Sequence, residues 1–316
     1  MKQILVVGSI NMDMVIRVPH IPAVGETILA KDIKRFGGGK GANQAIAAAK
    51  LGGDVHMIGR VGKDEHGEQC YENLKNSGVH VEGIEFDDDT PTGTAYIYVS
   101  DKGENNIVVY PGANNKLNID QIKRFEHLFN IAAFCVVQLE IPLEVVNFVV
   151  DLCRQKGVKV IFNPAPACNL NDDLLKNTYI LTPNETELTI LTGEKADTIE
   201  EMEMASHKIL ERGVQNIIVT IGEKGSLLIN KDKKQLHKAV KVAPIDTTAA
   251  GDSFTGALAV ALAEEQEINK AINFATHVAG ITVTKEGAQS SLPTREVVED
   301  FMKKLRKEFD YSITKG

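Results

Sequence analysis

The run Ala249-Ala250-Gly251-Asp252 contains the residues of this chain that are best suited to chemistry on an anion. The apolar pattern of residues 253–263 predicts a helix directly after it, so small residues leave the first backbone N–H groups open. Those groups and the helix dipole can stabilise a phosphate, or the charge on a phosphoryl group in transfer. Asp252 could accept the proton of an attacking hydroxyl. The simpler interpretation is that an acid in a first helical turn is stabilised by the dipole wherever it occurs.

Polar residues that follow predicted strands form a second group of candidates. Asn11 and Asp13 are two residues apart, so their side chains can lie on the same side of an extended segment. Glu140 follows another apolar run, at the carboxyl end of a strand, where the ligands of α/β proteins collect. Amides and carboxylates together suit a polyhydroxylated ligand. A turn is the competing interpretation of Asn11 and Asp13, and an exposed charge before a helix is that of Glu140.

The glycine-rich segment Gly37-Gly38-Gly39-Lys40-Gly41 opens a predicted Ala-rich helix and superficially resembles a phosphate-binding P-loop. Lys40 is followed by glycine rather than Ser or Thr, so a Walker A motif is disfavoured. The segment Gly8-Ser9-Ile10-Asn11, after the first apolar run, has only one glycine, which disfavours a dinucleotide-binding fingerprint.

Two further segments have both a structural and a functional interpretation. Asn184 and Glu187 are three residues apart at a predicted helix start, which is typical of a capping box, although they could also lie near metal-bound phosphates. Thr220-Ile221-Gly222-Glu223-Lys224-Gly225 follows a predicted strand, and its glycines could admit a nucleotide or make a tight turn.

Short β-branched apolar runs alternate with helical patterns, which predicts a mainly parallel sheet with helices on both faces. The predicted strands are residues 4–7, 56–59, 134–137, 158–162, 179–181, 217–220, 226–229 and 235–240. The predicted helices are residues 41–51, 65–77, 120–129, 142–156, 185–192, 199–212, 253–263 and 269–283.

Four predicted strands have no helices between them: residues 14–18, 28–33, 94–99 and 106–110. We interpret them as a small separate β-layer, a lid, with edge hairpins on the main sheet as the alternative. The predicted boundaries are 1–13, 36–92 and 112–316 for the α/β core and 14–35 and 93–111 for the discontinuous lid.

Composition excludes several classes of protein. The 316 residues include 43 acidic and 35 basic ones, a net charge of −8, which argues against a broad nucleic-acid-binding face. The four cysteines form no CxxC pair, so they predict neither a zinc cluster nor a disulfide framework, and a reducing compartment is expected. The first apolar run is too short for a signal peptide, and no run approaches a membrane span. We expect a cytoplasmic protein with no nucleic-acid or membrane partner.

Taken together and in order, the motifs resemble those of the PfkB carbohydrate kinase family, and within it the members that phosphorylate ribose. The resemblance covers nearly the whole chain, and its most specific runs are Gly39-Lys40-Gly41-Ala42-Asn43-Gln44 and Asn163-Pro164-Ala165-Pro166-Ala167. The family's usual first glycine in the GAGD signature is Ala249 here. The resemblance implies a three-layer αβα fold with a small β-sheet lid that also pairs two subunits into a homodimer.

The same resemblance implies ATP-dependent phosphorylation of D-ribose at O5, which gives D-ribose 5-phosphate and ADP. Asp252 would be the base, and the amides of Ala249, Ala250 and Gly251 the anion hole. The implied sugar-binding residues, besides Asp252, are Asn11, Met12, Asp13, Gly39, Lys40, Gly41, Ala42, Asn43 and Glu140.

ATP, Mg²⁺ and K⁺ sites are implied as well. Asn184 and Glu187 would organise Mg²⁺ and the phosphates. The other implied ATP-binding residues are Thr220, Ile221, Gly222, Glu223, Lys224, Gly225, Gly251, Asp252 and Thr276. The positions that match a K⁺ site are Asp246, Thr248, Thr282, Lys285, Gly287 and Ser291.

Two alternatives stay open. The chain could be another PfkB sugar or nucleoside kinase, particularly one for 2-deoxyribose, or a sugar-binding protein without turnover. Deoxyribose-specific members carry an apolar residue at the position of Asn11, so Asn11 favours a sugar with a 2-hydroxyl. The intact Asp252 favours an enzyme.

Overall fold

The computed structural model describes residues 2–314, and the side chains of residues 2–305. Within this range nine strands form one sheet in the order β13-β12-β11-β10-β9-β8-β1-β4-β5. All its strand pairs are parallel except β11 with β12 and β12 with β13, so the sheet is mainly parallel, as predicted. The strands are β1 (Gln3–Val7), β4 (Val55–Gly62), β5 (His80–Asp87), β8 (Ala132–Val137), β9 (Lys159–Phe162), β10 (Ile180–Leu181), β11 (Asn216–Thr220), β12 (Ser226–Asn230) and β13 (Lys234–His237).

Helices cover both faces of this sheet because its strands are apolar on both sides. In β1, Ile4 and Val6 pack into an apolar cluster with α1, α9 and α10, while Leu5 and Val7 pack into a second cluster with α5 and α8. This confirms the three-layer αβα fold. The helices are α1 (Lys40–Lys50), α2 (Glu65–Asn76), α3 (Ile119–Arg124), α4 (His127–Ile131), α5 (Leu143–Lys156), α6 (Asp172–Lys176), α7 (Glu185–Thr192), α8 (Ile199–Glu211), α9 (Ala250–Ala263), α10 (Ile268–Thr282) and α11 (Arg295–Thr314).

A separate four-stranded sheet has the order β3-β2-β6-β7. Its strands are β2 (Asn11–Val18), β3 (Asp32–Gly38), β6 (Gly93–Ser100) and β7 (Asn105–Tyr110). The predicted small β-layer is therefore confirmed, with β2 and β6 parallel at its centre and antiparallel strands at both edges.

Several predictions of secondary structure were wrong or incomplete. The second strand of the small sheet is β3 (Asp32–Gly38) rather than residues 28–33. As an exposed edge strand with charged side chains it has no apolar alternation to mark it. Edge strand β5 was missed although four of its eight residues are buried, because Glu82 and Glu85 interrupt its apolar positions. The helix predicted over residues 120–129 is broken into α3 and α4, and helices α6 and α11 were not predicted. No helix among the described residues is long and apolar enough to span a membrane.

The carboxyl ends of the parallel strands bring the candidate residues together. β1, β8 and β9 end next to one another, and the chain that leaves them carries Asn11, Glu140 and Asn163. This edge of the sheet, with the first turn of α9, positions the site.

Candidate active site

A cavity of about 210 Å³ lies in front of the first turn of α9. It is lined by eight residues that the sequence singled out: Lys40, Asn184, Glu187, Thr220, Ala249, Ala250, Gly251 and Asp252. Five further lining residues were not among the predicted site residues: Asn163, Ala165, Thr182, Thr247 and Thr255. The structure thus gathers motifs that are more than 200 positions apart in the sequence around one polar cavity.

The start of α9 is open towards this cavity. The residue before the helix, Ala249, is in the left-handed conformation with φ 60° and caps no N–H group with its side chain. A Cβ on Gly251 would meet no heavy atom within 4 Å, so this residue leaves free space. The N–H groups of Gly251 and Asp252 donate to no residue that the structure describes, whereas that of Ala250 donates to Thr247 O at 3.3 Å. The first turn can therefore offer N–H donors to an anion.

Asp252 is buried, and both its carboxylate oxygens accept hydrogen bonds from side-chain amides. Asn43 Nδ2 donates to Oδ2 at 2.9 Å, and Gln44 Nε2 donates to Oδ1 at 3.0 Å. These amides are in turn held by Gln289, which donates to Asn43 Oδ1, and by Gln138, which donates to Gln44 Oε1. This network fixes the orientation of the carboxylate at the cavity.

Asn11 and Asp13 lie on the same side of β2, as their spacing predicted, and both are buried. Asn114 Nδ2 donates to Asn11 Oδ1 at 2.7 Å, which leaves the amide NH₂ of Asn11 for another partner. A Cβ on Gly38 would lie 2.2 Å from the Asp13 carboxylate, so a side chain at this position would displace that carboxylate. The side chain of Met12 points to the opposite side, into the apolar core.

The predicted sugar residues of α1 divide in the same way between site and core. Lys40 lines the cavity, while Ala42 is a core residue whose N–H donates to Ser9 O. Gly39 precedes the helix with φ 87°, and a Cβ on Gly41 would lie 2.6 Å from Ser9 N. These glycines let α1 begin directly against the chain that leaves β1.

Glu140 is held at the same place by the backbone and a hydroxyl. Ser9 Oγ donates to Glu140 Oε2 at 2.5 Å, and the N–H of Lys40 donates to the same oxygen at 3.1 Å. The structure therefore favours a positioned carboxylate over an exposed charge before a helix.

The charged groups of the site influence one another strongly. Burial, and the nearby carboxylates of Glu140 and Asp252, raise the pKa of Asp13 from 3.8 to about 7. Burial opposes the charge of Lys40, but the carboxylates of Asp252, Glu140 and Glu187 outweigh it and raise the lysine pKa. Lys40 thus remains a cation surrounded by acids, which suits a group that binds phosphate.

Asn184 and Glu187 form the predicted capping box at the start of α7. Asn184 Oδ1 accepts from Glu187 N at 2.8 Å, and Glu187 Oε2 accepts from Asn184 N at 2.9 Å. Both residues also line the cavity. Burial raises the pKa of Glu187 above its ordinary value, against the hydrogen bond from Asn184 N and the charge of Lys40. The capping interpretation is confirmed, and it leaves Glu187 Oε1 available to a ligand.

The segment from Thr220 to Gly225 is only partly at the cavity. Thr220 lines it and bridges to Asn184, while Ile221 is buried in the apolar core. Gly222–Lys224 is an exposed 3-10 turn. A Cβ on Gly225 would lie 1.9 Å from His237 O, so this glycine makes a tight turn against β13.

Thr276 is not brought to this cavity. Its side chain is buried in α10, and its hydroxyl donates to Ile272 O at 2.8 Å.

The six predicted K⁺ positions lie in the loop before α9, at the last residue of α10 and in the loop that follows α10. Asp246 joins the loops: its Oδ1 accepts from the N–H and hydroxyl of Thr248, and its Oδ2 accepts from Gly287 N at 2.9 Å. The hydroxyls of the other two residues donate locally, Thr282 to Val278 O and Ser291 to Ala288 O. The carbonyl oxygens of Thr248, Lys285 and Gly287 accept no hydrogen bond from the part of the chain that the structure describes.

An open helix start and a buried acid therefore line one polar cavity. A comparison of the sequence with family models agrees with this arrangement. The model described as pfkB family carbohydrate kinase matches residues 1–295. The chain belongs to the PfkB family of carbohydrate kinases.

Relatives and solved structures of this family cover nearly all of the chain. A ribokinase from Haemophilus influenzae is 40% identical over 301 residues, 95% of this chain and 98% of the relative. A deoxyribokinase from Salmonella typhi is 36% identical over 300 residues, 95% and 98% of the two chains. The structure of a Thermotoga maritima ribokinase matches with a TM-score of 0.88 at 40% identity, covering 96% and 100%. An Arabidopsis thaliana ribokinase complexed with ribose and ATP matches with a TM-score of 0.88 at 35% identity, covering 95% and 98%.

In this PfkB kinase, sequence reasoning missed residues for two different reasons. Asn163 and Thr182 follow strands at their carboxyl ends, so the rule that singled out Glu140 could have found them. Gln44 is adjacent to Asn43 on a helix, and helical spacing gave no reason to expect both amides at one carboxylate. Asn114 had no signal, because its partner Asn11 is 103 positions away.

Proposed function

We propose that this kinase transfers the γ-phosphoryl group of ATP to O5 of D-ribose, giving D-ribose 5-phosphate and ADP. The observation that carries the proposal is the buried carboxylate of Asp252, held by Asn43 and Gln44 at the start of α9 and facing an open polar cavity. The ribokinase names of the relatives and the ribose and ATP in the Arabidopsis structure support the choice of substrates.

In the proposed mechanism Asp252 takes the proton of the sugar hydroxyl while the oxygen of that hydroxyl attacks the γ-phosphorus. The new P–O bond forms as the bond to the β-phosphate oxygen breaks, and ADP leaves with the electron pair. The N–H groups of Ala249, just before α9, and of Gly251 and Asp252 in its first turn would face the phosphoryl oxygens and stabilise their charge. The N–H of Ala250 would join them only by leaving Thr247 O. Lys40, a cation among carboxylates, lies where it can neutralise the phosphates.

The sugar is held by residues on the side of β2 that carries Asn11 and Asp13. Asp13 accepts hydrogen bonds from sugar hydroxyls, as does Glu140, which is positioned by Ser9 and the N–H of Lys40. The free NH₂ of Asn11 donates to the 2-hydroxyl, because its Oδ1 already accepts from Asn114. Met12 and Ala42 support these residues from the core.

Mg²⁺ fits the donor set beside the cavity. Glu187 uses one carboxylate oxygen in the capping box and keeps the other, and Mg²⁺ is typically held by one or two carboxylates, waters and substrate phosphates. Glu187, with Asn184 next to it, would hold the hydrated ion. The ion neutralises phosphate charge when it is bound.

K⁺ fits the loops around Asp246, since this ion takes several uncharged oxygen ligands. The carbonyl oxygens of Thr248, Lys285 and Gly287 are without hydrogen-bond donors among the described residues, and Asp246 ties the two loops together. Because Thr248 directly precedes Ala249, a bound ion would stabilise the start of α9. Initial rates in potassium and sodium salts at equal ionic strength test this proposal, and equal rates would contradict it.

The small sheet is proposed to be a lid over the sugar and the surface on which two subunits pair. The boundaries predicted from the sequence, 14–35 and 93–111 for the lid and 1–13, 36–92 and 112–316 for the core, stay a proposal. Strands β2 and β3 of the small sheet reach three residues beyond the first lid segment, to Asn11 and Gly38. Support comes from exposed apolar side chains on its strands, namely Ile33, Tyr96, Ile107, Val108, Val109 and Tyr110. A second copy of the chain would bury them, and a closed lid excludes water that would compete for the phosphoryl group.

A steady-state comparison of D-ribose, 2-deoxy-D-ribose, D-fructose and adenosine as acceptors tests the substrate proposal. We expect ribose to give the highest kcat/KM. In Asn11→Leu the preference for ribose over 2-deoxyribose should fall by about tenfold, as expected when one hydrogen bond to a hydroxyl is lost. A wild-type enzyme that prefers 2-deoxyribose would contradict the substrate proposal. An unchanged preference in Asn11→Leu would contradict the role of Asn11. The cytoplasmic location stays a prediction.

A further inference from the structure

Three potential metal ligands meet at the amino-terminal edge of the large sheet, opposite the edge that carries the active site. Asp54 lies in the turn before β4, His56 is the second residue of β4, and His80 is the first residue of β5. His56 and His80 are paired in the parallel register of these strands, so their side chains project on the same face. None of the three takes part in the proposed kinase reaction.

The distances between the ligand atoms suit a shared small cation. Asp54 Oδ1 lies 3.1 Å from His80 Nε2 and 3.7 Å from His56 Nε2, and the three atoms lie within 4.8 Å of one another. Ligands at about 2.0–2.1 Å from a tetrahedral ion are separated by about 3.3 Å. Only a small approach of the two imidazoles is needed, and their rings already stack with centroids 4.4 Å apart.

Glu82 orients His56 for this role. Its Oε1 lies 2.6 Å from His56 Nδ1, an arrangement in which the ring donates from Nδ1 and keeps a lone pair on Nε2. His56 Nε2 is buried and has no hydrogen-bond partner among the described residues. Leaving a buried nitrogen unpaired costs free energy, and a metal ion bound to Nε2 would remove this cost. A carboxylate that accepts from the other ring nitrogen of a metal-bound histidine is usual in zinc sites.

We propose that Asp54, His56 and His80 bind a divalent transition-metal ion such as Zn²⁺, with Glu82 as a positioning residue. Two imidazoles and one carboxylate favour ions of this class over Mg²⁺ or Ca²⁺, which take oxygen ligands. Water completes the coordination. The ion links the turn before β4 to the start of β5, the outermost strand on one side of the sheet. It should therefore stabilise the pairing of β4 with β5 and have no effect on phosphoryl transfer.

Titration of the metal-free, nucleotide-free enzyme with Co²⁺ tests the site, because the absorption spectrum of Co²⁺ reports nitrogen ligands and coordination geometry. We expect one equivalent to bind with the spectrum of a histidine site, and Zn²⁺ to displace it. His80→Ala should lose this equivalent, and Glu82→Gln should weaken it by about 10- to 100-fold. Zn²⁺ should also raise the thermal unfolding temperature of the wild type but not of His80→Ala.

His207→Ala is the matched control, since His207 is exposed on α8, away from the cluster. Cys168→Ser is the second control, because Cys168 is a half-exposed thiol that could take up the ion instead. Both controls should keep the bound equivalent. The proposal is wrong if the wild type shows no histidine-type spectrum, if His80→Ala retains it, or if either control loses it. Kinase activity of His80→Ala should match that of the wild type, so this result is independent of the proposed function.

Discussion

The carboxyl-terminal edge of the large sheet and the small sheet differ in which side chains they bury. At the first, polar side chains such as Asn43, Gln44 and Asp252 are buried and bonded to one another. On the second, apolar side chains are exposed, with Ile107 and Val108 53% and 56% accessible. Burying a polar network is costly unless every member is satisfied, and exposing an apolar patch is costly unless something covers it. Among the described residues, the first region is held together within one chain, with Gln138 Oε1 as a buried oxygen that has no partner. The second region leaves its apolar side chains uncovered, which favours the proposed pairing of two chains.

One strand connects the two regions. β2 begins with Asn11 and Asp13 at the site and pairs along its length with β3 and β6 of the small sheet. Any movement of the small sheet would therefore be felt first at the proposed sugar residues. Substitutions in one region therefore test whether the other region depends on it.

The largest effect is expected from Asp252→Asn at the network. An amide cannot take the proton of the attacking hydroxyl, so kcat should fall by about 10³-fold or more. Sugar binding should persist, because Asn11, Asp13 and Glu140 remain. Steady-state kinetics give kcat, and calorimetric titration with ribose gives the dissociation constant.

Asp232→Asn, which removes an exposed acid from the turn between β12 and β13, is the matched control and should leave kcat unchanged. Turnover near the wild-type rate in Asp252→Asn would remove this residue from its proposed role. Loss of ribose binding together with kcat would show instead that the substitution disrupts the amide network.

Ile107→Glu on β7 is expected to separate the proposed dimer. A charge placed in an apolar interface must be desolvated, so the dissociation constant of the dimer should rise by about 100-fold. Sedimentation equilibrium measures it. Ile190→Glu on α7 is matched in residue type and in exposure, 54% against 53%, and should have no such effect. A wild type that is monomeric at all concentrations, or a variant that dimerises normally, would contradict the interface.

The same contrast explains how much the sequence predicted. Strands β1, β4, β8, β9 and β11 were predicted because both of their faces are buried and their apolar runs are continuous. The edge strand β3 is mostly exposed, and the edge strand β5 has Glu82 and Glu85 between its apolar positions, so neither showed a continuous apolar run. Such strands form because they pair with a neighbouring strand on one side, and their own residue preferences contribute little.

In the site, predictions succeeded where chemistry is local and failed where it depends on distant partners. The spacing of Asn11 and Asp13, and the small residues before Asp252, encode geometry within one segment. The bonds from Gln44 to Asp252 and from Asn114 to Asn11 join segments 208 and 103 positions apart, and only the tertiary fold brings them together. The core positions of Met12 and Ala42 likewise follow from which side of β2 and α1 is buried.

A pH profile tests the coupling of the buried acids. The pKa of Asp13 is raised to about 7, so its carboxylate is mostly protonated at pH 6 and mostly ionised at pH 8. Ionised Asp13 is the better acceptor for sugar hydroxyls, and kcat/KM for ribose should therefore rise by about tenfold between these pH values. Glu140→Gln removes one of the carboxylates that raise this pKa and should move the rise to lower pH. The control Glu223→Gln, in an exposed turn, should not move it.

The raised pKa also has a consequence for stability. Asp13 holds its proton more tightly in the folded protein than in the unfolded one, where its pKa is near 3.8. Its contribution to stability is therefore lost as pH rises from about 4 to about 7. Asp13→Asn should increase the free energy of unfolding at pH 8 by a few kcal/mol while weakening ribose binding. Equal stability of the two proteins at pH 8, measured by urea denaturation, would contradict the raised pKa.

The smallest effect is expected from Ala249→Gly at the start of α9. Ala249 has φ 60°, a conformation that costs an L-residue about 1 kcal/mol and glycine almost nothing. Part of this gain is offset because glycine is more flexible in the unfolded chain, so the net stabilisation should be at most about 1 kcal/mol.

Ala250→Gly is the matched control: this alanine is the first residue of the helix, where no strain is relieved, and stability should fall by up to about 1 kcal/mol. In urea denaturation the change in the free energy of unfolding should therefore be of opposite sign in the two variants. The kcat of Ala249→Gly should stay within about twofold of the wild type, because the N–H groups of Gly251 and Asp252 keep their direction. A loss of stability in both would show that the left-handed residue before α9 is not strained.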